Sequence, residues 1–241
     1  MDAPLKYLEE LRGELGLYPT WLPGDPLTLG SFGRIERGQF IADGHLSNLG
    51  IEVIPTEQTE NQVIKKQRGI KLSAATQTTA KTGWLDAELG VEFEVAREHA
   101  WAFAARGLRK LEIGNIFEVR RAVLEAFKAG DWKRNWLLIC ELRRVDHLTV
   151  LVARSKHARG KIHAKGQIAE PYDILLQEDA SFELSTDDVF SVPGIKRSTP
   201  LYGCRKLKGI LDPGLEAVRG GLDDRPGDDI ALELANTEPL F

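Results

Sequence analysis

Long apolar runs are missing from this chain. No stretch approaches the roughly 18 consecutive apolar residues that a membrane-crossing helix needs. The first residues, Met1-Asp2-Ala3-Pro4-Leu5, lack the basic region and apolar core of an export signal, so neither helical insertion nor secretion is expected. Cysteine is scarce as well. Cys140 and Cys204 each stand in an apolar run and in no paired motif, which excludes a disulfide framework and a zinc knuckle. They read as buried thiols of a reducing compartment, and a cytoplasmic location is expected. Charge of one sign is also lacking. With 28% charged residues but a net charge of only −4, the chain is too balanced for intrinsic disorder and too neutral for a dedicated nucleic-acid binder.

Catalytic patterns are equally absent. The five histidines, His45, His99, His147, His157 and His163, are too scattered for a metal-binding pair on one helix face, and no cysteine or carboxylate stands at ligand spacing beside them. Gly30-Ser31-Phe32-Gly33 lacks the later glycine and the helix that a phosphate cradle requires. No Gly-x-Ser-x-Gly elbow occurs, and the pairs Asp187-Asp188 and Asp223-Asp224 sit in polar turns rather than apolar pockets that would raise a pKa. The expectation is a protein that binds or assembles, not an enzyme, with no cofactor and no metal.

What is present is ample material for one folded body, 241 residues with 42% hydrophobic content. Leu5, Leu8, Leu11 and Leu15 recur at helical spacing and Gly16 follows as a stop. Residues 17–54 are short apolar pieces broken by proline and glycine, with a small hairpin expected over Ile35–Ile41. Residues 55–68 are almost wholly polar and read as a mobile loop. Strands are expected within 70–82, over Leu89–Val95 with its strict apolar-polar alternation, and on through Trp101 and Phe103. Ile116, Val119, Val123 and Phe127 predict a helix from Asn115, its cap, to Gly130, its stop. Residues 136–142 and 148–153 read as a hairpin joined by Arg143–His147, residues 154–165 as a basic loop, and 181–185 and 201–207 as further strands. The fold class is therefore α+β, a twisted and mostly antiparallel sheet with a few helices.

Charge is distributed unevenly. Residues 212–241 hold eight acids against two arginines, a balance of −6, which leaves residues 1–211 at about +2 within the total of −4. Seven Lys or Arg against the single acid Asp146 lie between Arg143 and Lys165, and Lys196, Arg197, Arg205, Lys206 and Lys208 form a second cluster. Such surfaces attract anionic lipid headgroups, at about 1 kcal/mol per residue, or track nucleic-acid phosphates. Few aromatics are interleaved to stack on bases.

Three segments in order resemble the pore-forming domain of gasdermins, most nearly the bacterial ones. They are Tyr18 with Leu22-Pro23, Pro26-Leu27 and Gly44-His45-Leu46-Ser47-Asn48-Leu49; the paired strands Trp136–Ala153 after a helix; and Thr199-Pro200-Leu201-Tyr202-Gly203-Cys204-Arg205-Lys206-Leu207. The resemblance spans residues 5–211 and implies a gasdermin N-domain-like body, 1–211, inhibited by the acidic segment 212–241. It implies that a protease removes that segment, that the body then oligomerises in the inner membrane as a β-barrel pore, and that the resulting cell death defends against phage. The partners implied are the protease, anionic lipids and further copies of the chain.

Several residues receive expected roles on this basis. Arg154, Lys156, Arg159, Lys161 and Lys165 meet lipid; Leu89, Val91, Phe93 and Val95 form a membrane strand with Glu92 and Glu94 toward water. Arg219, Gly220, Gly221 and Arg225 mark the cleavage region, and Ile230, Leu232 and Leu234 the inhibitory contact. Bacterial members often carry a lipidated cysteine within their first residues, and this chain has none there. The competing expectation is a soluble α+β protein that presents a basic face to nucleic acid or an acidic partner.

Overall fold

A computed structural model describes residues 3–20, 27–73, 76–78, 88–165, 170–185, 189–207 and 215–217. Helix α1 (Ala3–Leu15) leads to strands β1 (Tyr18–Pro19), β2 (Ser31–Glu36), β3 (Gln39–His45), β4 (Pro55–Arg68), β5 (Ile70–Leu72), β6 (Thr76–Thr78), β7 (Glu88–Val95) and β8 (Trp101–Ile113). Helix α2 (Ile116–Ala129) follows, then β9 (Leu137–Ala153), β10 (Arg159–Lys165), β11 (Ser181–Leu184), β12 (Val189–Leu207) and β13 (Leu215–Ala217). Two 3-10 turns cover Leu46–Leu49 and Pro171–Leu176. Every strand pairing among the described residues is antiparallel, so the class is α+β with a mostly antiparallel sheet.

The strands form two sheets. In the larger, β4, β8, β9 and β12 lie side by side, β2 and β3 join beside the start of β9, and β1 and β13 line the outer edge of β12. The smaller is ordered β11, β10, β7, β5, with β6 also on β7.

Alternation along β8 shows how the layers stack. Trp101, Phe103 and Ala105 face α1 with Tyr7, Leu8 and Leu11, while Ala100, Ala102 and Ala104 face the small sheet with Val91, Phe93 and Ile162. Large side chains fill the space under the helix, and alanines on the opposite face let the small sheet approach closely. Leu148, Val150 and Val152 of β9 likewise point to α1, with Leu151 and Ala153 to the small sheet. A third cluster packs Val119 and Val123 of α2 against Phe32, Leu138, Cys140 and Cys204.

Several local expectations are met. Gly16 (φ 68°) ends α1 and Gly130 (φ 88°) ends α2, both in the left-handed region that a residue without Cβ enters freely. The hairpin over 35–41 forms, with Glu36 opposite Gln39.

Others are corrected. Residues 55–68 are not a loop but β4, paired with β8 from Pro55–Ile113 to Arg68–Trp101. The strand is polar because it is a sheet edge with little core to cover, and charges suit an edge. Its charges are used: Glu60 pairs with Arg143, Lys65 with Asp173, and Lys66 with Glu14 at 3.4 Å. Residues 136–153 are not a hairpin either, since β9 runs unbroken through Arg143–His147. Val145 and His147 are buried there, while Asp146 meets Arg109 at 2.7 Å. Residues 159–165 of the basic stretch are a strand, not a loop. Asn115 stands at the N-cap position of α2 as expected but makes no side-chain cap bond; its side chain instead donates to the Glu52 carbonyl (3.0 Å) and accepts from the Ile54 amide (2.9 Å), tying the helix start to the segment before β4.

Candidate functional site

The two sheets share one neighbour order. Each long strand continues into a short one: β4 into β5 at Gly69, β8 back into β7 through 96–100, β9 into β10 through 154–158, and β12 back into β11 through 185–188. The long strands pair as β4-β8-β9-β12 and the short ones as β5-β7-β10-β11. The small sheet is thus the far end of the same four strands, folded back over the large one.

The bends are laced to one another in that order. The Ala96 amide donates to the Gly69 carbonyl (2.8 Å), Val95 to Ala158 (2.9 Å), His157 to Val95 (2.9 Å), Ala153 to Ala100 (2.8 Å) and Ser185 to Arg159 (3.0 Å). Among the described residues of the bends, three are left-handed: Gly69 (φ 73°), His99 (φ 55°) and His157 (φ 67°). For the two histidines this conformation costs on the order of 1 kcal/mol each, which their surroundings must offset.

The small sheet is strictly two-faced. Val91, Phe93 and Val95 of β7 and Ile162 and Ala164 of β10 are buried against the large sheet. Glu92 and Lys161 (3.5 Å), Glu94 and Arg159 (3.2 Å), and His163 and Glu183 (3.3 Å) pair on the outer face. Gly160 is needed where it stands: a Cβ there would lie 2.5 Å from the Glu183 carbonyl oxygen and 2.5 Å from the Phe93 ring.

The turn 171–176 is wedged between the layers. Ile174 and Leu175 are buried, Asp173 accepts from Lys65, and the Tyr172 hydroxyl donates to the Lys66 carbonyl at 2.7 Å. The Lys65 contact holds the Asp173 carboxyl below its ordinary range. Under this turn His147, 1% exposed, sets Nε2 3.3 Å from the Leu175 carbonyl, so Nε2 carries the proton; Nδ1 is buried without a partner. Burial, with Arg106 nearby, lowers its pKa and keeps the ring neutral.

The expected site residues fall as follows. Leu89, Val91, Phe93 and Val95 are all in β7, with Leu89 opposite Ala164 and Val91 opposite Ile162. Arg159, Lys161 and Lys165 are in β10 opposite Glu94, Glu92 and Glu88, so Arg159 and Lys161 are ion-paired rather than a free basic patch. Arg154 and Lys156 are exposed in the bend. Arg219, Gly220, Gly221, Arg225, Ile230, Leu232 and Leu234 lie outside the described residues. Of the acidic segment, Leu215–Ala217 form β13 on β12, Leu215 opposite Leu207 and Ala217 opposite Arg205. The sequence reading missed the shared strand order, since pairing partners far apart in sequence leave no local pattern.

Other surfaces offer little chemistry. The groove between α2 and residues 50–54, about 670 Å³, is lined by Glu52, Ile54, Glu118, Arg121 and Glu125. No group of three potential metal ligands stands together among the described residues, and none of their helices is long and apolar enough to cross a membrane. Burial pushes the Cys140 thiol up to about 12 and raises that of Cys204 as well, which suits packing rather than reactivity.

The geometry defines an α+β protein whose antiparallel sheet is folded back on itself. No family model matches the chain, and a search of curated proteins returns no match.

Proposed function

We propose that this chain is an autoinhibited pore-forming protein of the gasdermin type, whose folded-back strands extend into a membrane β-barrel once its C-terminal segment is cut. The observation that carries this reading is the common neighbour order of the two sheets. Opening the four bends turns β4–β8 and β9–β12 into two long hairpins without exchanging a single partner. A spanning strand needs about 9–11 residues, whereas β7 has eight and β10 seven, so the bends themselves must straighten to reach that length.

The faces suit the two environments of a barrel wall. Val91, Phe93, Val95 and Ile162 turn to lipid once they leave the alanines of β8, and the Glu92–Lys161 and Glu94–Arg159 pairs turn to the lumen. This assigns Arg159 and Lys161 to the water-filled side and leaves Arg154 and Lys156, at the bend, for anionic headgroups. Pairing of the outer-face cations also speaks against a basic nucleic-acid surface. Closed strands matter because hydrocarbon offers no partner for open backbone groups.

The test uses the full chain with a specific protease site placed across Gly220-Gly221. Cutting it in the presence of dye-loaded vesicles containing anionic lipid is expected to release dye, and the uncut chain to release none. Silence at this site and at further sites between 208 and 225 would overturn the reading.

A further inference from the structure

We propose that α1 is a latch on the bend between the two sheets and that Glu10 is its bolt. The Glu10 side chain is only 8% exposed and sits where two neighbouring strands turn. Its Oε2 accepts from Arg97 Nη2 at 2.6 Å and from Trp101 Nε1 at 2.8 Å, and its Oε1 lies 3.3 Å from Arg68 Nη1. Arg68 is the last residue of β4 before the Gly69 bend, Arg97 belongs to the 96–100 bend, and Trp101 opens β8. One carboxylate therefore holds both sides of the same fold line.

The surrounding contacts are built for this. The Arg97 stem crosses Gly69 so closely that a Cβ there would lie 2.3 Å from Arg97 Cγ, which lets the guanidinium reach past the bend to the helix. The helix is seated by Leu8, Leu11 and Tyr7, the last edge-on to Trp101 at 5.8 Å between ring centroids. One turn further on, Glu14 reaches Lys66 of β4 at 3.4 Å. A charge-assisted contact in a partly buried place is strong and directional, unlike the exposed pairs on the outer face of the small sheet.

Straightening β7 into β8 carries Arg97 away from the Gly69 bend and takes from the buried Glu10 carboxylate its shortest contact, while Trp101 and Arg68 stay with the large sheet. Loss of that charge-assisted contact opposes extension while α1 is docked. Undocking α1 is thus a step separate from loss of the acidic C-terminal segment. The latch concerns the bend itself; its part in releasing membrane strands rests on the pore-forming reading.

Hydrogen exchange on the intact full chain tests the latch alone. Glu10→Gln is expected to speed exchange of the Val95, Ala96 and His157 amides at least tenfold, with the amides of 148–152 in β9 unchanged. Glu9→Gln, whose ion pair among the described residues is with Lys6 at 4.0 Å, is expected to leave all of them unchanged. Arg97→Gln should reproduce the larger part of the Glu10→Gln pattern, and the double variant should add nothing to Glu10→Gln. Rates within twofold of the parent, or a rise spread evenly over β8 and β9, would overturn the latch. A dye-release arm on the cut chain separates the two ideas: Glu10→Gln should shorten the lag severalfold. Faster bend exchange without any leakage would sink the pore reading and leave the latch standing.

Discussion

The four long strands of the large sheet and the strands of the small sheet come from the same four chain segments, yet the two sheets are held in different ways. The central strands of the large sheet, β8 with 13 residues and β9 with 17, are covered on both faces over 101–105 and 148–153, by α1 on one side and the small sheet on the other. In the small sheet, β7 has eight residues and β11 four, only one face is buried, and the outer face carries a ladder of surface ion pairs. Each such pair contributes at most about 1 kcal/mol. The difference teaches that two sheets in one strand order need not share one stability. Local opening draws on regions with fewer buried apolar contacts, and the small sheet, buried on one face, is such a region beside the doubly covered strands of the large one.

The largest expected effect lies in the large sheet. Phe103→Ala empties a fully buried site between β8 and α1 and should cost about 3–5 kcal/mol, read as a lower urea midpoint with one transition for the whole molecule. A second transition confined to the small sheet would show that the layers unfold separately. Gly160→Val comes next: its branched side chain meets the Glu183 carbonyl and the Phe93 ring and should cost about 1–3 kcal/mol. Hydrogen exchange should locate that loss in β7, β10 and β11, with β8 and β9 protected; an equal loss in both sheets would break the comparison.

The smallest effect is a pH dependence at the wedge between the layers. His147 resists protonation in the folded state, whereas the unfolded chain takes up its proton near 6.5. Stability from this group is therefore full above that pH and falls as pH drops below it, by no more than about 1.4 kcal/mol per pH unit. Arg106 on β8 and Lys196 on β12 disfavour the charged ring and Glu178 favours it. Urea midpoints between pH 7 and 5 should fall more steeply for the parent than for His147→Gln, and parallel curves would remove the effect.

Legibility in the sequence followed locality. The leucine spacing of α1, the Val119 and Val123 stripe of α2, the alternation of β7 and the 35–41 turn were each readable because neighbours in sequence make those structures. Arg143–His147 misled because polar residues in a run usually mark a turn, whereas here partners on β4 and β8 satisfy Arg143 and Asp146 within a strand. The polarity of 55–68 misled for the same reason. Arg159 and Lys161 were legible as basic but not as paired, since Glu92 and Glu94 lie some 65 residues away.

By itself the sequence determined the fold class, the helices, the two-faced character of β7 and the uneven charge, all properties of short windows whose physics is local propensity and hydrophobic period. Only the tertiary structure decided that four strands turn back in one common order, that alanines of β8 make room for them, and that Glu10 closes the fold line. Those depend on which distant segments meet, and no single window of sequence contains both partners of a contact.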